Sequence, residues 1–179
     1  MPQKISRTKE IPVSGGVTVT VKGSEVSVKG PKGTSTRAFD HPKLTISKKK
    51  DVVIVRCPSS RKKDNALLGT WSAHIKNMIE GVSDGYRYQM KIVYSHFPIK
   101  TSIKEDQFII ENFLGEKHPR KAKILGKTSV KIGGDQVVVE GINKEDVGQT
   151  AANIEKATKI RKYDPRVFQD GIYLISKEG

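Results

Sequence analysis

Cations grouped on short stretches without helical periodicity are the residues here best placed to do chemistry, and that chemistry is neutralising phosphate. His118, Arg120, Lys121 and Lys123 fall within the six-residue run His118-Pro-Arg-Lys-Ala-Lys123, directly after a turn that ends at Lys117. The run reads as a phosphate-facing loop, because Lys and Arg offer donors and charge with no partner acid in the segment. A second group, Arg61, Lys62 and Lys63, lies in the basic loop 56–64. A third, Lys156, Lys159, Arg161 and Lys162, collects at the C-terminal end of an expected helix, where cations complement the helix dipole and can face phosphate.

Catalysis finds no comparable footing. Gly30-Pro-Lys-Gly-Thr34 lacks the spacing of a phosphate loop, and no Gly-x-Gly-x-x-Gly follows a strand. His41, His74, His96 and His118 stand apart, with no Cys or His at metal-ligand spacing. Ser95 and His96 are adjacent, so on a strand they point to opposite faces and cannot form a dyad. Glu116 and Asp146 would pair only by an accident of folding. The sequence therefore points away from an enzyme, from a metal and from a nucleotide cofactor.

Composition agrees with a polyanion partner. Lys and Arg number 33 against 19 Asp and Glu, a formal charge of +14, which holds the chain against nucleic acid at physiological salt. A single cysteine, Cys57, excludes an internal disulfide and favours a reducing, cytoplasmic setting. No apolar run approaches the ~18 residues of a membrane span, and the N-terminus lacks an apolar signal core, so neither membrane insertion nor secretion is expected.

The elements that must position these cations are strands and two helices. Val17-Thr-Val-Thr-Val21 and Ser24-Glu-Val-Ser-Val28 alternate strictly, which predicts a hairpin turning at Lys22-Gly23. Lys29-Gly-Pro-Lys-Gly33 reads as a basic turn, either touching phosphate or merely solvated. Strands are expected at residues 44–46, 52–55, 86–94, 108–113, 130–132 and 136–140. A helix is expected over residues 64–80, stopped by Gly81, with Trp71 in its apolar stripe. A second starts after Asn143, a side chain suited to capping, with Glu145 and Asp146 in its first turn and Val147, Ala151 and Ile154 on one face. Gly148, Ala151 and Ala152 would let it approach a sheet closely.

The pattern occurs twice. Gly69, Ala73 and Ile75 precede Gly148, Ala152 and Ile154 by 79 positions, while Gly30, Lys32, Phe39 and Val52-Val53-Ile54 precede Gly115, Lys117, Ile124 and Val137-Val138-Val139 by 85. A duplicated α+β domain follows, each copy an antiparallel or mixed sheet carrying one helix. The expected divisions are a basic N-terminal arm at 1–10 that orders on a partner, a first domain at 11–81, and a second at 82–179 with a basic C-terminal tail.

Val26-Ser-Val-Lys-Gly-Pro-Lys-Gly33, Gly85-Tyr-Arg87, Leu114-Gly-Glu-Lys117 and Val147-Gly-Gln-Thr-Ala-Ala-Asn-Ile154, in this order over nearly the whole chain, resemble the universal large-subunit ribosomal protein six. The ending Asp164-Pro-Arg-Val-Phe-Gln-Asp-Gly-Ile-Tyr173 is similar to the archaeal and eukaryotic branch, and the lack of eukaryotic extensions suggests an archaeal chain. The resemblance implies two similar α+β domains and a structural role in the large ribosomal subunit. It also implies binding to large-subunit ribosomal RNA near the sarcin–ricin loop, at the stalk base where translation GTPases dock transiently beside neighbouring proteins. Positions matching the family's RNA-facing motifs are Lys117, His118, Arg120, Lys121, Lys144, Gln149, Lys156, Lys159 and Lys162. For Arg161, Arg166 and Phe168 the resemblance leaves RNA and a neighbouring protein both open. The charge alone also fits a non-ribosomal RNA chaperone or a factor-docking module.

Overall fold

Strict alternation folds as a hairpin, but the turn is Gly23-Ser24 instead of Lys22-Gly23, since Lys22 already pairs with Glu25. The computed structural model describes residues 7–59, 61–94, 97–161, 163–164 and 166–179. The chain divides into two units, residues 1–84 and 85–179.

The first unit contains β1 (Arg7–Pro12), β2 (Thr18–Lys22), β3 (Glu25–Gly30), β4 (Gly33–Ala38), β5 (Thr45–Lys49), β6 (Val52–Cys57) and α1 (Lys62–Ser83). Two antiparallel sheets, β1-β6-β5 and β2-β3-β4, share α1 as their cover. Val26, Val28, Val53 and Val55 point inward against Leu68, Ile75 and Trp71, whose ring meets Phe39 at 5.2 Å. Each such fully buried aliphatic contributes about 1.5–3 kcal/mol. The expected arm is corrected from Arg7 onward: that segment pairs with β6, with Ile11 in the core, while residues 1–6 lie outside the described residues. The helix also does not stop at Gly81, which is buried inside it. It ends at Ser83 with Asp84 as its C-cap, and Gly85 takes the left-handed φ of 73° that follows a helix end.

Expectation and structure also part at the basic turn between β3 and β4. The Lys32 amide donates to Val82 O at 3.0 Å and its ammonium donates to Asp84 O, so both serve the C-terminal end of α1 instead of phosphate. This docking needs Gly30, where a Cβ would stand 2.7 Å from Val82 O.

The second unit contains β7 (Tyr86–Val93), β8 (Lys100–Lys104), β9 (Gln107–Glu111), a 3₁₀ turn (Phe113–Gly115), β10 (Arg120–Lys123), β11 (Ser129–Gly133), β12 (Gln136–Gly141), α2 (Lys144–Ala157) and β13 (Gly171–Glu178). Its sheets are β11-β12-β7-β13 and β10-β9-β8, both antiparallel. The expected basic tail ends in a strand, since Ile172 enters the core and its amide donates to the Thr158 hydroxyl at 3.1 Å. Asn143 caps α2 by accepting from the Glu145 amide at 3.1 Å, an interaction worth about 1 kcal/mol.

Strand order repeats between the units, with β1-β6-β5 matched by β7-β12-β11 and β2-β3-β4 by β8-β9-β10. The 85-position match of the valine runs is nevertheless one residue out. Val53 pairs with Ile11 and Val137 with Met90, all four inward, so the equivalent residues lie 84 apart. A one-residue slip would reverse every side chain across the sheet.

The segment expected as a phosphate-facing loop is a strand from Arg120, and Arg120 holds it in place. Its guanidinium donates to both Glu116 oxygens, at 2.8 and 2.6 Å, and through Nη1 to Ala157 O at 2.9 Å and Lys159 O at 3.1 Å. Its carbon lies 4.2 Å from the centre of the Phe113 ring. Hydrogen bonds from Arg120 hold the Glu116 carboxyl below the usual carboxylate range.

Gly30→Ala should cost about 1–3 kcal/mol, read from Trp71 fluorescence during denaturation, because the helix end must move. Gly148→Ala should cost nothing measurable, since a Cβ there meets only Tyr88, at an ordinary 3.8 Å; the expectation that this glycine lets the helix approach the sheet does not hold. Arg120→Ala should weaken the second unit by about 2–3 kcal/mol, seen as faster amide exchange in α2. The carboxyl's depressed folded value means its stabilisation is complete above the unfolded pKa and disappears as pH falls through the folded one. Glu116→Gln should accordingly destabilise at neutral pH, and its gap from the wild type should close on acidification. A gap unchanged with pH would refute the pairing.

Candidate nucleic-acid interface

Alternation along β10 sorts its cations. Ala122 is buried, and Arg120 on the same face is spent on the clamp, whereas Lys121 and Lys123 project from the opposite face into solvent. Register extends that face across the sheet. Lys121 pairs with Ile109 and Ile109 with Ser102; Lys123 pairs with Gln107 and Gln107 with Lys104. Lys100, two residues before Ser102, shares the face and pairs with Glu111. Four exposed lysines, 100, 104, 121 and 123, thus stand on one rigid surface, with strands about 4.8 Å apart. Lys100 and Lys104 escaped the sequence reading because Lys100-Thr-Ser-Ile-Lys104 is too polar to register as a strand, although its lysines share one parity.

α2 lies along β10. Asn153 donates to Lys123 O at 3.0 Å and accepts from Gln149 at 2.9 Å, while the Thr150 hydroxyl accepts from the Leu125 amide at 3.0 Å. Gln149, Asn153 and Lys156 follow at helical spacing on one stripe, and Lys156 is exposed. Lys159 and Arg161 are exposed just past the helix end, and Lys117 and His118 on the connection leading into β10. Arg120 binds the carbonyls of residues 157 and 159, which brings that connection toward the end of α2.

Other expected site residues lie elsewhere. Lys144 is at the opposite end of α2, about 18 Å from Lys156 along the axis, and its ammonium sits 5.2 Å from the Tyr86 ring centre. Lys162 lies outside the described residues, as do Ser95 and His96. Arg61, Lys62 and Lys63 belong to the first unit and do not form a loop: Arg61 is the N-cap of α1 and the two lysines begin its first turn, all exposed. Cations there oppose the helix dipole, so helix stability does not account for them. Asp64 beside them is held below its ordinary value by a hydrogen bond from Ser59 and by Lys43.

Aromatic side chains accompany the α2 end. Tyr163 and Phe168 pack with ring centres 4.8 Å apart, and Phe168 and Tyr173 border a cavity of about 440 Å³ with Lys156 and Lys159. The surface can neutralise several phosphates at fixed spacing, the main source of affinity in RNA recognition by shape.

Known proteins carry the same duplicated pattern. Residues 12–85 and again 97–171 match ribosomal protein L6. The chain is 53% identical over 170 residues to large ribosomal subunit protein uL6 of Methanobrevibacter smithii, covering 95% of this chain and 96% of that protein. Against the protein of the same name from Methanosarcina mazei the identity is 52% over 177 residues, 99% of each chain. Against that of Methanococcus vannielii it is 46% over 179 residues, all of this chain and 98% of the relative. With two family matches in tandem and these identities over nearly its full length, the chain belongs to the ribosomal protein L6 family.

Proposed function

We propose that the protein is a structural component of the cytoplasmic large ribosomal subunit, and that its second unit grips the backbone of large-subunit ribosomal RNA near the sarcin–ricin loop. The observation that carries this reading is the lysine face of β10-β9-β8, with further exposed cations at the C-terminal end of α2, on a scaffold of the ribosomal protein L6 family. Lys117, His118, Lys121, Lys123, Lys156, Lys159 and Arg161 serve as phosphate contacts, joined by Lys100 and Lys104. Arg120 is instead a positioning residue. Arg61, Lys62 and Lys63 supply a separate contact from the first unit. A site at the stalk base would bring neighbouring proteins and translation GTPases close without requiring chemistry from this chain.

Rigid lysines on a sheet suit a recurring RNA backbone spacing, and each contact releases counterions. Lys121→Ala with Lys123→Ala should therefore weaken binding to large-subunit RNA and lower the slope of log affinity against log salt by about two, with amide exchange in α2 unchanged. An unchanged slope would remove this face from the interface. Chemical footprinting at two salt concentrations tests the location. Protection of the sarcin–ricin stem that survives moderate salt supports the reading, whereas diffuse, salt-erased protection would indicate a chaperone held by charge alone.

A further inference from the structure

The two units follow one plan to the end of the helix, after which only the second continues, and the addition is β13. It covers the outer edge of β7, pairing Ile172 with Ile92 and Leu174 with Met90. Among the described residues, the corresponding strand of the first unit, β1, pairs with β6 alone. Alternate peptide groups along the free edge of β1 therefore face outward. Beside that edge runs a cavity of about 450 Å³ between β1 and α1, bordered by Lys9, Ile11, Ala73, Lys76, Ile79 and Glu80. At the repeat offset of 79, Ala73, Lys76 and Ile79 occupy the places of Ala152, Glu155 and Thr158. Those residues flank the segment leading into β13, and Thr158 receives the Ile172 amide.

We infer that the groove between β1 and α1 accepts an extended segment of a neighbouring protein, which adds as an antiparallel strand where the second unit uses its own β13. Main-chain pairing of this kind supplies affinity, and alternate side chains supply selectivity. Arg7, Lys9 and Ile11 share the inward parity of β1. The segment should thus place an apolar side chain opposite Ile11 and carboxylates opposite Lys9 and Arg7. A second copy of this chain is disfavoured by its own charge of +14, which would set cation against cation. RNA is disfavoured by the apolar floor of Ile11, Ala73 and Ile79, which offers a phosphate no donor.

The groove itself is tested on the purified full chain with the peptide acetyl-Thr-Val-Thr-Glu-Thr-Glu-amide, the antiparallel complement of residues 7–12. Saturable binding is expected, with protection of β1 amides from exchange. Methylating alternate peptide nitrogens, or filling the groove by Ala73→Trp, should weaken it at least about tenfold, since several hydrogen bonds are lost together. Ala73 is exposed, so that variant should fold, and the methylated peptide tests pairing without altering the protein. Absence of saturable binding, or binding indifferent to methylation, would overturn the inference. The natural donor rests on the ribosomal reading and is sought with a photoreactive residue at position 73 in assembled large subunits. A cross-link to an extended segment of another subunit protein supports the proposal, and one to RNA or a second copy overturns it. Failure to co-sediment with the subunit would refute the ribosomal reading, leaving the peptide to decide the groove.

Discussion

Everything about the candidate interface depends on Arg120 being unavailable to it. The side chain is 23% exposed and meets a carboxylate, two carbonyls and an aromatic face. A guanidinium suits this task because its donors lie in one plane and remain protonated throughout the accessible pH range. Once it is fixed, β10 cannot slide against α2, and the alternation of the strand sends Lys121 and Lys123 outward. A lysine at position 120 would keep the charge but lose the fork that reaches Glu116 and the end of α2 together.

Duplication supplies a second constraint, and its departures are as informative as its agreements. Two copies of one strand order preserve which residues face the helix, not their spacing in the chain. The offset is 79 in the helices and 84 at the valines of β6 and β12, because loop lengths drift while burial parity cannot. Sequence matching had aligned Val52-Val53-Ile54 with Val137-Val138-Val139, since a run of consecutive β-branched residues carries no phase of its own. Only pairing with Ile11 and Met90 sets the phase.

The same reasoning explains what could be read from the sequence. The β2-β3 hairpin, the face of α1 around Trp71 and the Asn143 cap were legible because each carries a periodic or positional signal. β4, β8 and β10 were not, since Thr34-Ser-Thr-Arg37, Lys100-Thr-Ser-Ile-Lys104 and Arg120-Lys-Ala-Lys123 are polar edge strands with one face in solvent. An edge strand gains its hydrogen bonds from a single neighbour, so its sequence need not advertise burial. The candidate site was legible as a set of charges but not as a geometry. Lys117, His118, Lys121, Lys123, Lys156, Lys159 and Arg161 group together by clustering in the sequence, whereas Lys100 and Lys104 join the proposed face only through register.

Net charge is therefore a poor measure of the charge this protein can offer. Lys32 and Lys48 donate to carbonyls, Lys43 pairs with Asp64 at 3.4 Å, and Lys131 pairs with Glu140 at 2.8 Å. Exposed pairs of this kind add little stability, typically under about 1 kcal/mol, yet each removes a cation from the field that a phosphate meets. The lysines at 104, 121 and 123 have no acid directly opposite them in the sheet, and Lys100 alone faces Glu111. Attraction of a polyanion is a property of the whole chain, but holding one RNA backbone in register requires cations without local partners on an immobile sheet. For the proposed RNA contact, that condition favours the β10-β9-β8 face over lysines that are as numerous elsewhere, and it traces back to the one arginine that keeps β10 in place.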